Sequence, residues 1–261
     1  MKQICFLSCV WLDDMSAEGL GKTRPPTDDA GIRSHLQGEG FVVVKGALTP
    51  DEVERGVGLF WDWAEKTCPG CDRRDPLTWH KWPVAVDGGI IPWQGSGQSP
   101  FPWFVRTRPA LRHVFSILYG TLDLVTSFDS ICAWRPWGLD ATFRPDFREQ
   151  DGGWFHVDQS PDNTGFACVQ GVVDLMGSKA ASGGGNTLVP RSHHHFGRWR
   201  REYSARVDEL FAECDYFEIP PGDKCIGRAI VPLVEPGDLL LWDSRYVLFA
   251  FNCSPSTNTG L

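Results

Sequence analysis

The chain has 261 residues, 42% hydrophobic and 22% charged, enough for one sizeable core in an ordinary globular protein. A net charge of −8 with no Lys/Arg-rich block excludes bulk electrostatic attraction to nucleic acid. Nine cysteines, an odd number scattered along the chain, argue against a disulfide framework and favour a reducing, cytoplasm-like compartment.

At the N-terminus Ile4 to Leu12 is apolar apart from Ser8, but it is short for a spanning helix and runs straight into Asp13-Asp14. A signal peptide is the disfavoured reading there, and no other run approaches membrane-spanning length. Residues 1–30 are expected to be irregular, and Ile32 to Leu36 to be a short helix. Phe41-Val-Val-Val44 reads as a buried strand. Thr49-Pro50-Asp51-Glu52 then opens a helix expected to run to Lys66: Thr49 caps, Pro50 takes the first helical position, and Glu52 stands three residues after the cap. From Cys68 to Arg106 no period is visible, and Trp79, Trp82, Trp93 and Trp103 punctuate a long Pro/Gly-rich loop. The Cys68-Pro-Gly-Cys71 spacing has no second pair to complete a zinc site, so free thiols are expected.

Pro109 to Tyr119 is helical by pattern, with Leu111, Val114, Phe115 and Leu118 on one stripe. Strands are expected over Asp123–Trp134, Phe166–Leu175, Asn186–Pro190, Ile230–Val234 and Leu239–Trp242, with an amphipathic helix over 196–213. The pattern as a whole is mostly β with flanking helices. A single domain is expected over 31–245, preceded by the irregular segment and followed by a tail, 246–261, that carries no charged residue.

The chemistry concentrates in Gly152-Gly-Trp-Phe-His-Val-Asp158. On a strand, residues two apart share a face, so His156 and Asp158 project together and can grip one ion. An imidazole and a carboxylate are two thirds of the 2-His-1-carboxylate set that suits non-haem Fe(II) and leaves positions open for other ligands. The structural alternative is a hydrogen-bonded polar pair at a strand end.

Several stretches, in order, are similar to the phytanoyl-CoA dioxygenase-like branch of the Fe(II)/2-oxoglutarate oxygenases. They include Gly40-Phe-Val-Val-Val-Lys45, Ser127-Phe-Asp-Ser130, Gly153-Trp-Phe-His-Val-Asp-Gln159 and Val169-Gln-Gly-Val-Val173. Gly185-Asn-Thr-Leu-Val-Pro-Arg-Ser-His193 and Pro236-Gly-Asp-Leu-Leu-Leu-Trp-Asp-Ser-Arg245 follow. The resemblance implies a double-stranded β-helix, a jelly-roll or cupin-like barrel, with His156 and Asp158 as iron ligands. It further implies Fe(II) as cofactor, 2-oxoglutarate and O₂ as cosubstrates, and a small organic molecule hydroxylated at an aliphatic C–H bond. Gln170 and Ser244 are the positions implied for the cosubstrate. Trp154 and Gln159, with the Trp-rich 79–103 loop, are implied for the substrate.

The chain departs from that pattern after Arg245. The resemblance places a second histidine three residues on, where this sequence has Leu248, and a basic side chain some ten residues later, where it has none. Three accounts follow from this. In one, the barrel is incomplete at its C-terminus and Tyr246 onward is translated intron, since Arg-Tyr-Val can be encoded as AGG-TAT-GTN, a splice-donor pattern. In another the protein is a degenerate member that binds without oxidising, in effect a non-catalytic barrel binding module. In a third, His193, His194 or His195 supplies the missing ligand. Impaired activity is expected in any case of a chain with leucine at that position.

Overall fold

The structure, a computed structural model, describes residues 2–10, 23–81, 90–133, 155–177, 185–202, 216–220 and 222–251, with the backbone alone at 2–10, 185 and 249–251. The capping box forms as its sequence dictates. Thr49 Oγ1 accepts from the Glu52 amide at 3.3 Å, Glu52 Oε2 accepts from the Thr49 amide at 3.0 Å, and helix α2 runs Pro50–Thr67. Helix α1, Asp29–Glu39, is longer than the five residues expected. Asp28 caps it through the Gly31 amide, and Gly40 ends it in the left-handed conformation at φ 84°. Helix α4 spans Pro109–Tyr119 as patterned, and a helix hidden in the Trp-rich stretch, α3, spans Pro100–Arg106 with proline in its first turn.

Two sheets result. In the larger, the order is β2 (Thr23–Arg24), β3 (Phe41–Val44), β11 (Leu239–Asp243), β8 (Val169–Asp174), β1 (Lys2–Val10), β6 (Ile131–Ala133) and β4 (Ile90–Ile91), with β5 (Leu124–Thr126) pairing β1 beside this path. The smaller is β10 (Phe217–Glu218), β7 (His156–Val157), β12 (Val247–Phe251) and β9 (Gly185–Leu188), antiparallel throughout. Neither sheet closes on itself among the described residues. The fold is therefore a mixture of helix and sheet, with two sheets that stay open among the described residues.

Several expectations change. Within the N-terminal segment expected to be irregular, Lys2–Val10 is a strand running parallel to β8 and β6 between them, which its apolar, β-rich sequence suits; 11–22 lie outside the described residues. Asp123–Trp134 is two short strands interrupted at 127–130, and Ile230–Val234 contributes an isolated bridge, Ile230 to Leu188, rather than a strand. The uncharged tail is structured at its start, where Val247–Phe251, a continuous apolar run, inserts between β7 and β9. Residues 196–202 begin the expected helix; 203–213 lie outside the described residues.

Strand alternation sorts the core into layers. Val42, Val44, Val173, Leu239 and Leu241 point from the larger sheet to the helices, where they meet Leu36, Phe60, Leu111 and Phe115. Their neighbours Val43, Val172, Leu240 and Trp242 point the other way and meet Leu188 and Leu248 of the smaller sheet. The smaller sheet's outer face, Val157, Phe217 and Val247, is covered by Phe196, Trp199 and Ile219. Among the described residues no helix is long and apolar enough to cross a membrane.

Candidate metal centre

Val157 faces outward into its apolar cluster, so His156 on the preceding residue turns inward, between the sheets. Its Nε2 lies 3.1 Å from Asp158 Oδ1. Two donors held at right angles about 2.1 Å from one ion stand roughly 3.0 Å apart, so the pair has the spacing of adjacent ligands. The larger sheet supplies the orientation. Trp242 and Gln170 are register partners on β11 and β8, and Trp242 Nε1 donates to Gln170 Oε1 at 2.9 Å and to Asp158 Oδ2 at 3.3 Å. Burial by itself would raise the Asp158 pKa. The hydrogen bond and charge of His156, then the bonds from Trp242 and Gln170, outweigh it and hold the carboxyl below its ordinary value. Asp158 is thus kept anionic and aimed.

The third position is what the pair lacks. Leu248 on β12 is the register partner of His156, as Val247 is of Val157. Directly opposed residues on antiparallel strands share a face with Cβ atoms about 4.5–5.5 Å apart. Leucine therefore stands where a side chain could reach an ion held by His156, and it is 4% exposed in the apolar cluster between the sheets. On the other side the register partner of His156 is Glu218, and the Tyr216 ring meets the imidazole edge-on at 6.2 Å. Among the described residues no three His, Cys, Asp or Glu side chains converge. The donor set fits two positions of a facial triad and not the third.

The structure places the other expected residues as follows. Gln170 reaches it. Gln159 and Ser244 meet each other: Ser244 Oγ donates to Gln159 Oε1 at 2.8 Å and accepts from the Cys168 amide at 3.2 Å. Gln159 Nε2 donates to the carbonyls of Asn163 and Gly165, so the two side chains brace the loop that leaves Asp158. Trp154 lies outside the described residues. The tandem histidines occupy a 3₁₀ turn, Ser192–His195, where His193 Nε2 donates to the Gln37 carbonyl at 3.0 Å and His195 stacks edge-on with Trp199; none of them joins His156. In the Trp-rich stretch, Trp79 is buried against Trp61 at 5.1 Å in the helix layer, and Trp103 packs with Phe128. Trp61 and Trp79 belong to the core cluster on the helix side of the larger sheet, opposite His156 and Asp158.

Trp242 is the site residue that motif reading left without a role. Its signal was available, because alternation along Leu239-Leu-Leu-Trp242 puts Trp242 on the face of Leu240, toward the sheet that carries His156. Glu218 carried no signal without the register.

Compared with known proteins, the chain is 31% identical over 130 residues to a putative phytanoyl-CoA dioxygenase of Dictyostelium discoideum, an alignment covering 48% of this chain and 35% of that protein. It is 29% identical over 232 residues to Ava biosynthesis cluster protein O of Aspergillus versicolor, covering 82% of this chain and 70% of the relative. Both relatives support the resemblance to the phytanoyl-CoA dioxygenase-like family. No protein-family model matches it. Among solved structures, a hypothetical protein of Escherichia coli superposes with a TM-score of 0.54 at 12% identity, over 90% of this chain and 69% of that one. A putative oxidoreductase of Salmonella typhimurium superposes with a TM-score of 0.52 at 12% identity, over 92% and 71%. At such identities the likeness of this chain to those two structures concerns the fold.

Proposed function

We propose that this chain is an Fe(II)/2-oxoglutarate oxygenase-type protein whose metal centre has two protein donors, and that it binds metal and a small organic molecule with little or no turnover. The two facing sheets are read as the double-stranded β-helix of such enzymes. In proteins of this kind Fe(II), 2-oxoglutarate and O₂ together hydroxylate an aliphatic C–H bond. With Leu248 at the third position, no such step is assigned to this chain. The single observation that carries the reading is the register pairing of Leu248 with His156.

Neutral His156 and anionic Asp158 hold the ion in this reading, and Trp242 fixes the carboxylate so that little side-chain freedom remains to be lost on binding. Gln170, whose carbonyl oxygen accepts from Trp242 and whose amide also serves Asp158, has a second amide hydrogen to offer a carboxylate-bearing cosubstrate. Trp154 is proposed to border the substrate. Gln159 and Ser244 act through the loop they brace. Succinate formed from 2-oxoglutarate under air, with Fe(II) and ascorbate, tests the reading. Background rates that do not change in His156→Ala are expected. Turnover on the order of 1 s⁻¹ that His156→Ala abolishes would overturn it.

A further inference from the structure

The corner between β11 and β12 has two sides. Trp242 and Gln170 face the metal pair, and by strand alternation their neighbours Asp243 and Val169, themselves register partners, face away from it. On that far side lies a cavity of about 550 Å³, bounded by α1, α4, the loop at 164–166 and the turn that carries His193 and His194. A volume of this size is in the range that small organic ligands occupy.

We propose that this cavity is a second ligand site, for a small organic anion with an apolar body. The floor is apolar: Leu36, Val169 and Phe196 are buried there, while the Phe166 ring beside them is 47% exposed. The rim is cationic. Arg245 sets its guanidinium over Phe166 at 5.8 Å and is held rigidly by Asp243, Nη2 to Oδ2 at 2.6 Å and Nε to Oδ1 at 2.9 Å. Those bonds use one edge of the fork, and Arg245 has further N–H donors beyond them. Arg33 enters from α1, with Nη1 donating to the Ile117 carbonyl at 3.1 Å. Two guanidinium groups against one carboxylate leave a net positive rim, which selects an anion over an amine. The apolar floor selects an organic body over inorganic phosphate, which would leave that surface wet. The tandem histidines, which do not reach the metal pair, here form a wall, their rings 3.9 Å apart.

The test uses the full chain and calorimetric titration with 4-phenylbutyrate, 4-phenyl-1-butanol and 4-phenylbutylamine as probes. The acid is expected to bind about tenfold more tightly than the alcohol, and the amine not measurably. Arg33→Gln, an exposed position, should weaken the acid roughly three- to fivefold without affecting the alcohol, the upper range for one solvent-edge ion pair. Leu118→Trp, which fills the cavity from α4, should abolish both. His156→Ala should change neither. Absence of acid binding at 10 mM, equal affinity for acid and alcohol, unchanged binding in Leu118→Trp and Arg33→Gln, or loss of binding in His156→Ala would each overturn the proposal.

Discussion

Replacing Leu248 by histidine tests whether this position closes the metal centre. Leu248 is 4% exposed among Val172, Leu188 and Trp242, so the substitution forfeits roughly 2 kcal/mol of apolar burial. Without metal it also leaves a buried imidazole short of partners, at roughly 1–3 kcal/mol. The metal-free variant should therefore be about 3–5 kcal/mol less stable and melt roughly 10 °C lower. With metal the sign reverses. A structural site of four donors contributes about 10–16 kcal/mol, about 3 kcal/mol per donor, so a third ligand beside His156 and Asp158 should tighten divalent metal binding by about 10²-fold. Titration with Mn²⁺ or anaerobic Fe²⁺, and melting with metal or with a chelator, read both effects. Leu248→His that binds metal no more tightly than the wild type would refute the reasoning. So would a gain of equal size in a His156→Ala background, because the added imidazole would then be acting on its own.

Asp223 accepts from Arg198 at 2.6 Å, Trp199 at 3.0 Å and the Cys225 amide at 2.9 Å; burial opposes ionisation, but these bonds bring its pKa down to about 2. Its folded value lies below its ordinary value of 3.8, so its stabilisation is complete above about pH 4 and is lost as pH falls through 2. Asp223→Asn should cost about 2 kcal/mol at pH 7 and flatten the acid limb of the stability curve between pH 4 and 2, measured by urea denaturation. Gln159→Ala and Ser244→Ala should each destabilise by about 1–3 kcal/mol, and a double-mutant cycle should show about 1 kcal/mol of coupling; strict additivity would deny the brace. Gly40→Ala places a Cβ 2.4 Å from His193 Nδ1 and from the Tyr246 ring at a φ of 84°, and should cost more than about 2 kcal/mol by thermal melting.

What was legible in the sequence was the chemistry decided within a few residues. The Thr49–Glu52 box, the buried Phe41–Val44 strand and the His156/Asp158 pair all depend on local spacing, and each is where its spacing puts it. What was not legible depended on partners distant in the chain. Ile4-Cys-Phe-Leu-Ser-Cys-Val10 carries the composition of a central strand, yet only pairing with Val169–Asp174, more than 150 residues away, makes it one. Helix α3 was masked because tryptophan and proline dominate its stretch, and the proline that read as punctuation sits in its first turn.

The metal centre shows how these two kinds of information combine. The family resemblance singled out Leu248 as the residue in place of a ligand, and strand register pairs that residue with His156. Leu248 is not a loop residue that has drifted from the site. It stands on the strand beside His156, with its side chain on the same face, and packs into the apolar layer that a histidine there would interrupt. Beside it, Asp158 is held ionised and aimed by Trp242 although nothing in the packing of the two sheets requires a buried carboxylate. An anion placed at that depth is costly unless something cationic answers it, and the imidazole of His156 is the partner within 3.1 Å. A buried carboxylate held ionised beside His156 is what the proposed two-donor site would use, and the Leu248→His titration tests whether it does.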